Sequence, residues 1–158
     1  MSKSMPAGFS WRSHPRFILT TVAIGLFTDL FLYGLVVPVL PFLLEDRAML
    51  PPAQIQSYTS GLLAVYAGST VIFSPVAGIV ADKMSTRQAP FLFGLACLFG
   101  STVLLFASAA VPMLVLARAL QGTSCAFVWT IGLAICIETV GPEKMGRTMG
   151  VVWMLPFQ

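Results

Sequence analysis

A single aspartate interrupts the first long apolar run of this sequence. Asp29 lies in the stretch FTDLFLYGLVVPVLPF, twelve residues after Phe17, with no Lys or Arg near it. A charge in the middle of a membrane is energetically costly and is a functional hypothesis from the outset. Tyr33 follows one helical turn later on the same face. The pattern favours a cation or proton site that faces a water-filled cavity. The alternative is an aspartate that is protonated or hydrogen-bonded to a neighbouring helix.

A single arginine interrupts the apolar stretch between Gln88 and Ile137. Arg118 lies in LARALQG, and Gln121 follows three residues later on the same helix face. One interpretation is a buried positive charge that faces the same cavity and holds a carboxylate or influences its protonation. The alternative is an arginine that snorkels to the outer interface. Glu138, at the inner end of the same segment, is interpreted as an interfacial charge.

Other kinds of chemistry find no support in the sequence. The three cysteines lie singly inside apolar runs, form no C-x-x-C pair, and are interpreted as buried small apolar side chains. The only histidine, His14, lies in the polar N-terminal leader. There is no nucleophile–base pair, phosphate-binding loop or metal-ligand cluster. We therefore expect a protein that is not an enzyme, without a cofactor or a metal site.

The composition excludes an ordinary soluble globule. Hydrophobic residues make up 57% of the chain, charged residues 9%, and the mean hydropathy is +0.88. Soluble domains usually have about 25% charged residues, so these charges are too few for a solvated surface. The net charge of +3 does not indicate nucleic-acid binding, because Lys and Arg mostly stand singly at the ends of apolar runs. We predict a multi-pass protein of the lipid bilayer.

Membrane-spanning helices must position Asp29 and Arg118, and each needs about 20 mostly apolar residues. We predict an all-α, polytopic transmembrane helix bundle with four spans and the start of a fifth. A leader at residues 1–16 precedes a membrane domain at 17–158. The predicted spans are residues 17–44, 58–81, 90–109, 113–137 and, incomplete, 148–158. The apolar stretch before Ile137 is divided near 108–112, because it is too long for one span.

The distribution of positive charge predicts the orientation of the spans. With a cytoplasmic N-terminus, Arg47 is the only Lys or Arg in the outer loops. The inner segments contain seven such residues: Lys3, Arg12, Arg16, Lys83, Arg87, Lys144 and Arg147. Lys and Arg favour cytoplasmic loops. The charged turns at 82–87 and 138–147 are therefore predicted to face the cytoplasm, in a plasma membrane or a vacuolar or vesicular membrane.

Small residues are dense in the second and fourth predicted spans. Gly122 and Ala126 are two of those in the fourth span. Small residues let membrane helices approach one another closely. We expect these helices to pack on one another or on other membrane chains.

Three segments carry longer motifs, in order along the chain. GIVADKMSTR fits the pattern G-x-L-x-D-R-x-G-R-R at Gly78, Asp82, Lys83 and Arg87, and departs from it at Val80, Ser85 and Thr86. RALQGTSCA fits R-x-x-Q-G-x-x-x-A at Arg118, Gln121, Gly122 and Ala126. Asp29 followed by LVVPVLP, and the later turn PEKMGRTMG, complete the set.

Together these segments resemble the major facilitator superfamily of secondary transporters, and in particular its drug:proton antiporter branch with the vesicular amine transporter-like members. The resemblance implies that the charged turn is a cytoplasmic latch. Its Gly permits close helix packing, and its charges favour one side of an alternating-access cycle. The resemblance also implies a cation or proton site at Asp29, and a polar centre tied to proton coupling at Arg118 and Gln121. Substrate sites in such folds lie near the midplane, between two halves.

The number of spans differs from that of a complete transporter of this family, which has two six-helix halves. The antiporter branch's Gly- and Pro-rich fifth-span motif is absent before Gln158. A run of about ten residues does not cross a core about 30 Å thick. We therefore expect a truncated transporter or an incomplete gene model.

Two functions from different classes follow from these observations. The first is secondary active transport of a small organic molecule or drug, by proton antiport, with protons and the small molecule as the partners of the chain. The alternative is a four-span membrane protein with a structural or partner-binding role and no transport activity. Such a protein would tolerate Asp29→Asn and Arg118→Leu, whereas a transporter would not.

Overall fold

Four long α-helices make up most of the structure. The structure, a computed structural model, describes residues 15–49, 51–84, 86–108 and 110–141, and the single residues 143, 146 and 150. The helices are α1 (Pro15–Asp46), α2 (Pro52–Lys83), α3 (Gln88–Ala107) and α4 (Val111–Val140). Each is long and apolar enough to cross a membrane. The prediction of an all-α bundle with four spans is confirmed.

Two predicted segments lie mainly outside the described residues. They are the leader at 1–16, except for residues 15 and 16, and the incomplete fifth run at 148–158, except for residue 150. Most of the turn between Gly141 and Gly150 also lies outside them.

The helix boundaries follow the prolines and glycines of the sequence. α2 begins six residues before the predicted span, because Pro52 takes the first helical position, where the missing N–H has no helical partner. α3 ends at Ala107 and α4 begins at Val111. α4 ends before Gly141, whose φ of 79° is left-handed. Glycine adopts this conformation without a steric penalty.

The buried apolar side chains form two clusters, one toward each end of the bundle. The cluster toward the predicted cytoplasmic end contains Val22, Leu26, Ala77, Ala81, Phe91, Phe127, Val128, Ile131 and Cys136. The cluster toward the opposite end contains Val36, Leu40, Leu44, Leu62, Leu105, Leu114 and Ala117. α4 contributes to both clusters and packs against all three other helices. Side chains in the middle of α4 can therefore contact residues of several helices at once.

Gly122 allows α4 to approach α2 closely. A Cβ at this position would collide with the backbone carbonyl of Tyr66 and lie 2.9 Å from the Cβ of Ser69. Thr70 Oγ1 donates a hydrogen bond to the carbonyl of Gly122 at 3.1 Å. Ala126, one turn later, is also buried. Small residues thus bring the two backbones close enough for a hydrogen bond between the helices.

A second close approach joins α3 and α4 on the other side. A Cβ at Gly94 would lie 2.9 Å from Cγ2 of Val128. The hydroxyl of Ser124, which is buried, donates to the carbonyl of Gly94 at 2.8 Å. α4 therefore has hydrogen bonds to both α2 and α3. These contacts fix how far α4 is shifted along its axis and how it is rotated relative to the two other helices.

Replacing Gly122 by alanine should lower the free energy of unfolding by about 1–3 kcal/mol, because a methyl group would be forced into a packed interface. Gly68→Ala on α2 is the matched control, because no described atom lies within 4 Å of a Cβ there. It should be neutral or slightly stabilising, since alanine has the higher helix propensity. Thermal unfolding in detergent measures both variants. Equal melting temperatures would contradict the close approach of α2 and α4.

Candidate functional site

A layer of polar and aromatic side chains lies between the two apolar clusters. We call it the polar layer, and it consists of Asp29, Tyr33, Tyr66, Arg118, Gln121, Cys125 and Trp129. On α1 the layer lies between Leu26 of one cluster and Val36 of the other. Asp29 is 14 residues from the start of α1 and 17 from its end. At 1.5 Å per residue, it is more than about 20 Å from either end.

Four side chains of the polar layer recur along one face of α4. Arg118, Gln121, Cys125 and Trp129 are separated by three, four and four residues. This spacing places side chains above one another on a helix. The polar residues of α1 and α2 meet this face.

Asp29 is buried, with 2% of its surface exposed. Trp129 Nε1 donates a hydrogen bond to its Oδ2 at 3.0 Å. The thiol of Cys125 also faces the carboxyl group. Within the described part of the chain, no nitrogen or oxygen donor reaches Oδ1. The hydrogen bond to a neighbouring helix, one of the alternatives from the sequence, is therefore present, but it uses only one of the two oxygens.

Arg118 is fully buried within the helix bundle. The snorkelling interpretation would instead require its guanidinium to extend to the outer interface. Its Nη1 donates to Gln121 Oε1 at 2.6 Å. Its guanidinium carbon lies 5.4 Å from the centroid of the Tyr66 ring. Nε and Nη2 have no hydrogen-bond partner among the described residues. Two of the nitrogens of this buried cation are thus free to donate.

An aromatic pair lies in the same layer as the two charges. The rings of Tyr33 and Tyr66 are 4.9 Å apart between centroids, with an angle of 32° between their planes. Tyr33 thus contacts α2 from its place one turn beyond Asp29 on α1. Among the described side chains, the only ion pair within 4 Å is at the end of the bundle, so Asp29 and Arg118 do not pair with each other.

Sequence reasoning missed three members of the polar layer: Tyr66, Cys125 and Trp129. The sequence favours a small apolar role for Cys125, but its thiol interacts with Asp29, Tyr66 and Thr70. The signal that could have found Cys125 and Trp129 is their spacing from Arg118, seven and eleven residues along one helix face. Tyr66 carries no comparable signal, because its role depends on where α2 packs against α4.

The charged turn between α2 and α3 carries the motif GIVADKMSTR, from which the resemblance implied a cytoplasmic latch. Arg87 Nη2 pairs with Glu138 Oε1 at 2.7 Å and connects the start of α3 to the end of α4. Asp82 and Lys83 are exposed at the end of α2. Asp82, Arg87 and Glu138 line part of a cavity of 610 Å³. The close helix packing implied at Gly78 is not observed among the described residues, since none of their atoms lies within 4 Å of a Cβ there.

The ionisable side chains of the polar layer are of kinds that can bind charge and exchange protons. Its ionisable members are one carboxylate, one guanidinium, one thiol and two phenols. In the parts of the chain that the structure describes, no group of three or more His, Cys, Asp or Glu side chains could hold a metal ion.

Comparison with known proteins places the sequence motifs in a wider context. The family model described as Major Facilitator Superfamily matches residues 22–155. The chain is 49% identical to the MFS-type transporter ppzB of Metarhizium rileyi over 94% of this chain and 30% of that protein. It is 51% identical to the uncharacterized MFS-type transporter C18.02 of Schizosaccharomyces pombe, over 90% of this chain and 32% of that protein. The vesicular acetylcholine transporter of Drosophila melanogaster is 29% identical over 86% of this chain and 27% of its own length. The chain thus spans about a third of the length of these relatives.

Proposed function

Since this chain belongs to the major facilitator superfamily, we propose that it forms the substrate- and proton-binding part of a secondary active transporter. The transporter exchanges a small organic molecule for protons across a membrane. The family predicted from the motifs is confirmed by the match over residues 22–155. The relatives named above are called transporters, and one carries the name of an organic cation.

The observation that carries the proposal is the half-satisfied carboxyl group of Asp29. A structural aspartate would have both oxygens hydrogen-bonded, because an unmade hydrogen bond at a buried polar group is costly. Asp29 Oδ1 has no nitrogen or oxygen donor from the described residues, while Oδ2 is held by Trp129. One oxygen thus fixes the carboxyl group in place, and the other is available to a proton or a cation.

Exchange of substrate for protons follows because the cation and the proton compete for the same carboxyl group of Asp29. A protonated Asp29 is neutral and attracts a cation weakly, whereas an ionised Asp29 attracts it strongly. Binding of the cation therefore displaces the proton, and protonation on the other side of the membrane releases the cation. Two conformations that expose the polar layer to opposite sides convert this competition into antiport.

The ion pair at the end of the bundle fits a conformational role. Arg87 and Glu138 join α3 to α4, and both are partly exposed. A partly exposed ion pair contributes little to stability but can favour one of two packed arrangements. In this proposal the charged turn is the cytoplasmic latch, and the N-terminus lies in the cytoplasm.

The test is uptake of radiolabelled hexyltrimethylammonium by proteoliposomes that contain the full-length gene product. With an acidic lumen, we expect accumulation that collapses when nigericin dissipates the pH gradient. Uptake that is independent of the gradient would contradict proton antiport. Complete absence of uptake by folded protein would favour the four-span structural or partner-binding role instead.

A further inference from the structure

Two buried and opposite charges of the polar layer remain unpaired with each other. Asp29 and Arg118 are 2% and 0% exposed, respectively. Each has at least one polar atom without a hydrogen-bond partner among the described residues. Removing a charge from water without pairing it is expensive, so such groups normally pair or bind a ligand.

Neighbouring side chains hold the two charges in place and apart. Trp129 binds Asp29 through Oδ2, and Gln121 binds Arg118 through Nη1. The Tyr66 ring lies against the guanidinium of Arg118. A site for a simple cation would use Asp29 alone, and it would leave the free nitrogens of Arg118 without a partner.

The free nitrogens of Arg118 have the geometry of a carboxylate site. Nε and Nη2 lie along one edge of the planar guanidinium group. Their N–H groups point in parallel there and can donate to both oxygens of one carboxylate. Gln121 occupies Nη1, the nitrogen that does not belong to this fork. Gln121 therefore leaves the bidentate edge open.

We infer that this site takes a zwitterionic substrate, with its cationic group at Asp29 and its carboxylate at the Nε–Nη2 edge of Arg118. The inference rests on the proposed function and specifies its substrate class. One ligand then satisfies both buried charges, whereas a cation or an anion satisfies only one.

The distance between the charges sets the length of the substrate. Arg118 and Cys125, an α4 residue whose thiol faces Asp29, are seven residues apart, which is about 10 Å along the helix. The Arg118 side chain reaches toward Gln121 and shortens this gap. A spacer of several carbon atoms is therefore required between the two charged groups.

Matched probes separate the carboxylate contact from the cation contact. The zwitterion 6-(trimethylammonio)hexanoate and the cation hexyltrimethylammonium differ only in the terminal carboxylate. Binding to the purified full-length gene product, measured by competition, should favour the zwitterion at least about tenfold, since a hydrogen-bonded charge contact is gained. Trimethylglycine, whose one-carbon spacer is too short to reach both groups, should show no such advantage over its matched cation, ethyltrimethylammonium.

Variants of Arg118 assign the preference to that residue. Arg118→Met should erase the tenfold ratio between the two probes, and Arg118→Lys should retain part of it through its charge. Arg47→Met, at an exposed arginine near the end of the bundle, should keep the full ratio. A ratio that survives in Arg118→Met would overturn the assignment of the carboxylate to this residue.

The two levels of the proposal fail in different ways. Equal affinity for both probes would overturn the zwitterion and leave proton antiport of a cation standing. Failure to bind either probe would overturn both the zwitterion and the proposed function, because a probe that does not bind is not taken up.

Discussion

Asp29→Asn is expected to abolish proton-driven uptake while the helix bundle stays folded. The asparagine oxygen can still accept the hydrogen bond that Trp129 donates to Oδ2. The variant lacks a charge and a titratable proton, so a cation no longer competes with a proton there. Uptake should fall about 100-fold or more, since losing one partner of a buried ion pair costs about 3 kcal/mol or more and each 1.4 kcal/mol is tenfold. The measurement is the initial rate of gradient-driven uptake into proteoliposomes.

Asp46→Asn is the matched control for this substitution. Asp46 is exposed at the end of α1, so the same chemical change occurs outside the polar layer. Its uptake rate should equal that of the wild type. The role proposed for Asp29 is excluded if Asp29→Asn retains gradient-driven uptake at wild-type rates while its melting temperature shows a folded protein.

Arg118→Met is expected to stabilise the protein and to impair its function. The arginine is fully buried and leaves Nε and Nη2 without partners from the described residues. Replacing a buried charge by an apolar side chain of similar length is neutral or stabilising by about 1–4 kcal/mol. The gain should fall in the lower half of this range, because Gln121 loses the donor to its Oε1. A higher melting temperature, together with gradient-driven uptake of 6-(trimethylammonio)hexanoate lowered at least about tenfold, is the expected result.

Arg47→Met tests whether any loss of an arginine has the same effect. Arg47 is exposed, donates to the backbone carbonyl of Phe106, and lies 5.5 Å from the centroid of the Phe106 ring. Its replacement should cost about 1 kcal/mol or less, with no gain in stability. If Arg118→Met lowers the melting temperature more than Arg47→Met does, the guanidinium of Arg118 is paired within the native protein and is unavailable to a substrate.

The opposite signs expected for stability and uptake have a common cause. A buried charge with open hydrogen-bonding positions destabilises the protein on its own and becomes favourable only when a ligand satisfies it. Functional sites commonly retain such groups at a cost in stability. Asp29 and Arg118 both meet this description, whereas the exposed pair of Arg87 and Glu138 does not.

The sequence alone determined the class of protein, the four spans and the two residues that carry the proposal. Apolar runs of spanning length are readable without a structure because a bilayer imposes a minimum length on each helix. Asp29 and Arg118 stand out for a related reason, since a charge in such a run is costly and therefore rare. The motifs added the family, and the match over residues 22–155 bears that out.

Only the tertiary structure decided what surrounds these charges. Trp129 and Tyr66 are ordinary residues in apolar runs, and their contacts with Asp29 and Arg118 arise from the packing of α4 against α1 and α2. Gly78 and Gly122 both occupy motif positions, yet only Gly122 lies against another backbone. Which nitrogens of Arg118 stay free is likewise a matter of three-dimensional geometry. Hydrogen bonds and close contacts between helices depend on relative position and rotation, which residue type and spacing along one helix do not specify.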